Sequence, residues 1–169
     1  MTLAARQLKA QPRPHDEPEL LLELELPRLL ERMHRRFLDL LQAEMRRLKI
    51  RDLTPVQAFL LLDMGDEELT TQELIDRGYY VRANALYNIR KLVEAGYFQQ
   101  TRDPHDRRAM RIALTEAAKV RCTALRARIT QIQQQITTRE GGPAELEEAH
   151  NTLRRLERRW DEYLRYGSI

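Results

Sequence analysis

Two groups of side chains in this sequence have the types and the spacing to touch a polyanion. Arg82, Asn84, Tyr87, Asn88 and Lys91 fall between the apolar positions Ala85, Ile89, Leu92 and Val93. That period places them on the outer face of a helix running over about 81–95. An asparagine amide can pair in bidentate fashion with adenine and an arginine with guanine, while lysine and tyrosine reach phosphate or sugar edges. Further along, Asp106, Arg107 and Arg108 sit at the tip of a predicted hairpin, where cations would meet the focused negative potential of a narrow minor groove. Asp106 is expected to steady a guanidinium while Arg108 enters the groove. The same residues would also make a solvated helix face and a surface ion pair, the latter contributing well under ~1 kcal/mol. Taken together, helix and hairpin favour the nucleic-acid reading.

Charge is concentrated where those groups lie. The chain carries only +3 overall, yet residues 77–111 hold eight basic side chains against Glu94, Asp103 and Asp106, so the remainder is slightly acidic. Other chemistries find little support. No P-loop, dinucleotide-binding glycine pattern or nucleophile elbow occurs, and His15, His34, His105 and His150 lack ligand spacing. Glu67 and Glu68 follow Gly65 in a polar loop and are expected to be solvated. Cys122 is the single cysteine, which excludes an internal disulfide and fits a structural residue in a reducing compartment better than a redox switch. Neither residues 1–14 nor the short apolar run 59–62 suggests a secretion signal or a membrane span. A cytoplasmic protein without cofactor, metal or enzymatic activity is expected.

The elements that must position these groups are mostly helical. With 42% hydrophobic and 33% charged residues over 169 positions, the chain is expected to be one helical globular unit preceded by a mobile arm at 1–16. Leu26, Leu29, Leu30, Met33, Phe37, Leu40, Leu41, Met45 and Leu48 stripe a long first helix beginning near Asp16 or Glu17, which Pro27 would kink or truly start. Thr54-Pro55-Val56-Gln57 is a capping box opening a second helix that stops near Gly65, and Thr70-Thr71-Gln72-Glu73 repeats it for a third over 71–77, closed by Gly78 in the left-handed region. The helix bearing Asn84 follows and ends at Gly96. Alternation then predicts strands at 97–101 and 108–114 about the turn Asp103-Pro104-His105-Asp106. Thr115 caps a fifth helix with inner face Val120, Ala124, Leu125, Ile129, Ile132 and Ile136, broken by Gly141-Gly142-Pro143. Leu146, Leu153, Leu156, Trp160 and Leu164 stripe a sixth. The fold class is mainly α with a small β-hairpin wing. A winged helix-turn-helix lobe at 51–115 stands between a dimerisation helix at 17–50 and dimerisation helices at 116–169. The apolar seam over three helices exceeds what one slender domain can hide, so a homodimer is expected, the alternative being a sixth helix folded back into a monomeric bundle.

Leu53-Thr54-Pro55-Val56-Gln57, Lys91-Leu92-Val93-Glu94-Ala95-Gly96-Tyr97, Asp103-Pro104-His105-Asp106-Arg107-Arg108 and Leu114-Thr115 together resemble the motif succession of the MarR family, from about residue 20 to the C-terminus. Within it, Gly78-Tyr79-Tyr80 and the segment 87–94 resemble regulators of the LdtR type. The family's wing pattern, Asp-x-Arg-Asp-x-Arg, is kept at Asp103, Asp106 and Arg108, with His105 in place of its first arginine. The resemblance implies a homodimer whose first, fifth and sixth helices interlock on a palindromic operator in double-stranded DNA, usually as a repressor. It also implies release by a small aromatic effector bound between lobe and dimerisation helices, near Phe37, Leu41 and Phe59 with Arg36 or His34 as polar partner. Those residues equally fit plain core. Two-fold symmetry would set the recognition helices roughly 34–36 Å apart. A helical protein–protein adaptor derived from the same fold is the alternative function.

Overall fold

A computed structural model describes residues 17–78, 82–104, 106, 108–139 and 142–167. The expected mobile arm, the Tyr79-Tyr80 turn, His105, Arg107 and Gly141 lie outside the described residues. The elements are α1 (Glu17–Arg47), α2 (Pro55–Met64), β1 (Leu69–Thr70), α3 (Thr71–Gly78), α4 (Arg82–Glu94), β2 (Phe98–Arg102), β3 (Met110–Leu114), α5 (Glu116–Arg139) and α6 (Pro143–Tyr166). The backbone groups into two compact units, Met1–Leu40 and Leu41–Ile169.

In the first unit α1 is helical through Pro27, so that proline does not mark where the helix begins. Ion pairs one turn apart, Arg28–Glu25, Arg35–Glu31 and Arg36–Asp39, line its surface. Solvent screening leaves such exposed pairs only a small stabilising effect on a helix. Leu24, Leu29 and Met33 are exposed between them.

The second unit is built from local caps around one core. The Thr54 hydroxyl accepts the Gln57 N–H while the Gln57 side chain accepts the Thr54 N–H, with Pro55 opening α2. Two orphan donors of the helix end are thereby satisfied, and α2 buries Ala58, Leu60, Leu61 and Met64. Thr70 repeats the device for α3, its hydroxyl accepting from the Glu73 N–H and its own N–H donating to the Glu73 carboxylate at 2.6 Å. α4 turns Ala85, Ile89 and Leu92 inward. It closes at Gly96, φ 74°, where the Gly96 N–H donates to the Val93 carbonyl and the Tyr97 N–H to that of Leu92. This double closure needs the left-handed backbone that glycine adopts without a Cβ penalty. Thr115 then caps α5 by accepting the Ala118 N–H.

β2 and β3 form the expected hairpin, with Phe98 opposite Leu114 and Arg102 opposite Met110. Each strand starts slightly later than the alternation predicts. β1, which no periodicity reveals, pairs with the other edge of β3, Leu69 opposite Ile112, giving the order β1-β3-β2. Leu61, Met64, Leu74, Leu92, Ile112 and Leu114 pack between helices and sheet, and Ala118 and Cys122 bring α5 onto the same core. Glu44 near the end of α1 is buried between Arg47 and Arg128 of α5, at 2.7 and 2.9 Å. Removing either guanidinium would leave a buried charge under-compensated.

The expected inner face of α5 is partly corrected. Ala118, Cys122 and Leu125 are buried, with Ile129 and Ile132 half-buried, whereas Val120 is 71% exposed and Ala124 and Ile136 are exposed. The core selects the stripe that contains Ala118 and Cys122, and Val120 and Ala124 fall on the other side of the helix. In α6 no residue is buried within the chain. Among the described residues no helix is long and apolar enough to cross a membrane.

Candidate nucleic-acid interface

Burial of one side of α4 leaves Arg82, Asn84, Tyr87, Arg90 and Lys91 exposed. Arg82 Nη1 donates to Gln72 Oε1 at 2.6 Å and so links α4 to α3. Asn88 is half-buried, and its Nδ2 donates to the Asn84 carbonyl at 2.9 Å, directing its amide back onto its own helix. At the far end Lys91 Nζ lies 2.7 Å from Glu94. That hydrogen bond raises the ammonium's pKa above its ordinary value and lowers the carboxylate's. Arg90 and Lys91 thus share Glu94 at the C-terminal end of α4, while Arg82 and the exposed Asn84 stand at its N-terminal end. Arg90 is absent from the expected contact residues, yet its guanidinium stands 5.8 Å from the centroid of the Tyr87 ring. The signal was available, since Arg90 follows Tyr87 by one helical turn.

The wing tip is shaped by two aspartates. Asp103 is buried; one of its oxygens accepts the Asp106 N–H at 2.9 Å and the other accepts from Arg111 Nη1 at 3.1 Å. Asp106, expected to steady a guanidinium, takes the main-chain N–H of Arg108 at 2.9 Å. Among the described residues, the wing guanidinium on a carboxylate is that of Arg111, on Asp103 and Glu68. Arg108 is exposed, and Arg107 lies outside the described residues. The loop before β1 is also more than a solvated stretch. Glu67 receives both Nη atoms of Arg77, at 2.9 and 2.7 Å, which hold its carboxyl below the usual range. Glu68 accepts the Thr101 hydroxyl at 2.9 Å.

The expected effector residues are placed as follows. In the first unit His34 and Arg36 are exposed and Phe37 is half-buried, Arg36 pairing with Asp39 at 3.6 Å. In the second, Leu41 is fully buried and Phe59 half-buried. An open groove of about 820 Å³ lies between α5 and α6, bordered by Ile129, Thr137, Leu146 and His150, and none of the five residues lines it. Among the described residues no group of His, Cys, Asp and Glu could hold a metal ion. Cys122 is buried, and burial pushes its thiol pKa up, which opposes the thiolate a redox switch requires.

Two capped helices followed by a hairpin form a winged helix-turn-helix, and residues 53–118 match the winged helix DNA-binding domain family. Over 151 residues the chain is 36% identical to the exopolysaccharide II synthesis transcriptional activator ExpG of Rhizobium meliloti (strain 1021), covering 89% of this chain and 78% of that protein. The transcriptional regulator SlyA has the same fold, with a TM-score of 0.70 at 19% identity over 85% of this chain and 99% of that one. Reduced AbfR bound to DNA gives 0.69 at 17% identity over 88% and 99%, and a MarR variant from E. coli complexed with operator DNA gives 0.63 at 19% over 78% and 93%. Fold and site together define a winged-helix transcription regulator of the DNA-binding class. Within that class, the chain belongs to the MarR family.

Proposed function

We propose that the chain binds a palindromic operator in double-stranded DNA as a homodimer, with α4 in the major groove and the β2–β3 wing at the adjoining minor groove. The observation that carries this reading is the orientation of α4. With Ala85, Ile89 and Leu92 buried, Arg82, Asn84 and Tyr87 face outward at its N-terminal end, the end with which helix-turn-helix proteins reach base edges. DNA-bound relatives of the same fold support it. The exposed apolar residues of α5 and α6, among them Val120, Leu146 and Trp160, support residues 116–169, with 17–50, as the dimerisation region and 51–115 as the reading lobe. The protein would act where the DNA is, in the cytoplasm.

On this proposal operator binding represses transcription, and a small aromatic effector lowers operator affinity. A second reading of the sign is favoured by one observation, the activator role of the relative from R. meliloti. The same dimer would activate if its operator lay upstream of the polymerase site instead of over it. Reporter output from the regulated promoter in a strain lacking the chain separates the two, rising for a repressor and falling for an activator.

Binding itself is tested by titrating duplexes from the chain's own upstream region at several salt concentrations. Affinity should fall steeply as salt rises, through counterion release. Arg108→Ala should weaken binding to many sequences alike, whereas Asn84→Ala should relax preference at one operator base pair by about 1–3 kcal/mol. Asn88→Ala should do less, because its amide is engaged with the Asn84 carbonyl. Flat salt dependence would instead favour a protein adaptor.

A further inference from the structure

We infer that Arg111 is the positioning residue of the wing: from near the start of β3 it locks the hairpin tip to the loop before β1, and so fixes where Arg108 is presented. The inference rests on the DNA-contact reading of Arg108 given above. Arg111 lies opposite Thr101 of β2 on one side and Thr70 of β1 on the other, at the centre of the three-stranded sheet. Its Nη1 donates to Asp103 at 3.1 Å, its Nη2 to the Glu68 carbonyl at 2.9 Å, and its Nε lies 3.5 Å from the Glu68 carboxylate. A planar guanidinium holds such divergent acceptors in one fixed fork, which a lysine ammonium cannot do. From there the bonds run on without a gap. The Asp103 side chain is only 9% exposed, its second oxygen takes the Asp106 N–H, and the Asp106 carboxylate takes the Arg108 N–H. With Nη1 and Nη2 each bonded to a protein acceptor and Nε facing the Glu68 carboxylate, Arg111 acts on DNA through Arg108.

The test compares Arg108→Ala, Arg111→Gln, Asp103→Asn and the double variant Arg108→Ala/Arg111→Gln in the full chain, on a duplex from its own upstream region. Arg108→Ala should bind roughly tenfold more weakly, with a salt slope reduced by about one. Arg111→Gln should lose a similar factor, and the double variant little more than either single one, while base preference at α4 positions stays unchanged. Asp103→Asn removes a negative charge, which by charge alone would tighten binding; it should weaken it. If Arg111→Gln does not fold by thermal unfolding, Arg111→Lys replaces it, and should remain deficient despite keeping the charge. An Arg108→Ala variant that binds normally overturns the wing contact and this inference with it. Weakened Arg108→Ala beside an unaffected Arg111 variant overturns the inference alone, as does a double variant whose loss is the product of the two single losses.

Discussion

The Tyr97 hydroxyl stands between opposite charges, donating to Asp52 at 2.8 Å and accepting from Arg121. Burial first, and then the bond to Asp52, push its pKa from 10.0 up to about 12. On Asp52 burial acts upward as well, but the hydrogen bond from Tyr97 and the neighbouring Arg121 outweigh it and hold the carboxyl below 3.8. The two groups therefore limit stability at opposite ends of the pH scale. The fold prefers the neutral phenol, so the stability Tyr97 contributes is complete below its unfolded value of 10.0 and is lost as pH rises through about 12. Asp52 contributes above 3.8 and loses its share as pH falls through its lowered value. Tyr97→Phe should remove the alkaline part. Its urea midpoint should change less between pH 10 and 12 than that of the unaltered chain; parallel curves would place the alkaline ionisation on another residue.

At the scale of elements, helix ends are where sequence and structure correspond most closely. α1 closes as α4 does, with the Ile50 N–H on the Met45 carbonyl and the Lys49 N–H on that of Arg46, but the left-handed position is held by Lys49 at φ 58°. A Cβ in that region costs ~1–2 kcal/mol, part of which glycine returns as unfolded-state entropy. Lys49→Gly should thus stabilise the chain by about 0.5–1 kcal/mol in urea unfolding, and a lowered midpoint would mean that the lysine side chain makes a contact worth more than the strain. Caps at Thr54, Thr70 and Thr115 and the glycine turn at Gly96 were legible because each acts within about four residues. β1 was not, since two residues carry no period and its partner Ile112 is remote in sequence. Glu67 and Glu68 stayed hidden for the same reason, their partners Arg77 and Arg111 being brought in by the fold. On α4 the period showed that Arg82, Asn84, Tyr87 and Lys91 face out, whereas Asn88, expected beside them, is half-buried. The period could not show that Arg82 and Asn88 are already engaged with Gln72 and the Asn84 carbonyl, because side-chain direction follows from neighbours that only the packed structure supplies.

On the proposed reading the molecule is incomplete as a single chain. Leu146, Leu153 and Trp160 recur at seven-residue spacing along α6, the seam of a helix that packs against another, yet no residue of α6 is fully buried within its own chain, Leu153 and Leu156 being half-buried, and Leu164 beside the seam is 82% exposed. A contiguous apolar face of that kind marks an interface, and a second copy is the partner the proposed operator symmetry requires. Trp160→Glu would place an unpaired charge in that seam, at a desolvation cost that a dimer interface cannot absorb without loss. The core around Leu61, Leu92 and Ile112 lies elsewhere, so the reading lobe should stay folded. Sedimentation should then show a monomer. Two joined lobes hold the second half-site at a high effective concentration, and separating them should weaken binding to the full operator by on the order of a hundredfold or more. Binding to an isolated half-site should be unchanged. A Trp160→Glu chain that remains dimeric would remove α6 from the interface, and a monomer that still bound the full operator at undiminished strength would remove the need for two reading helices.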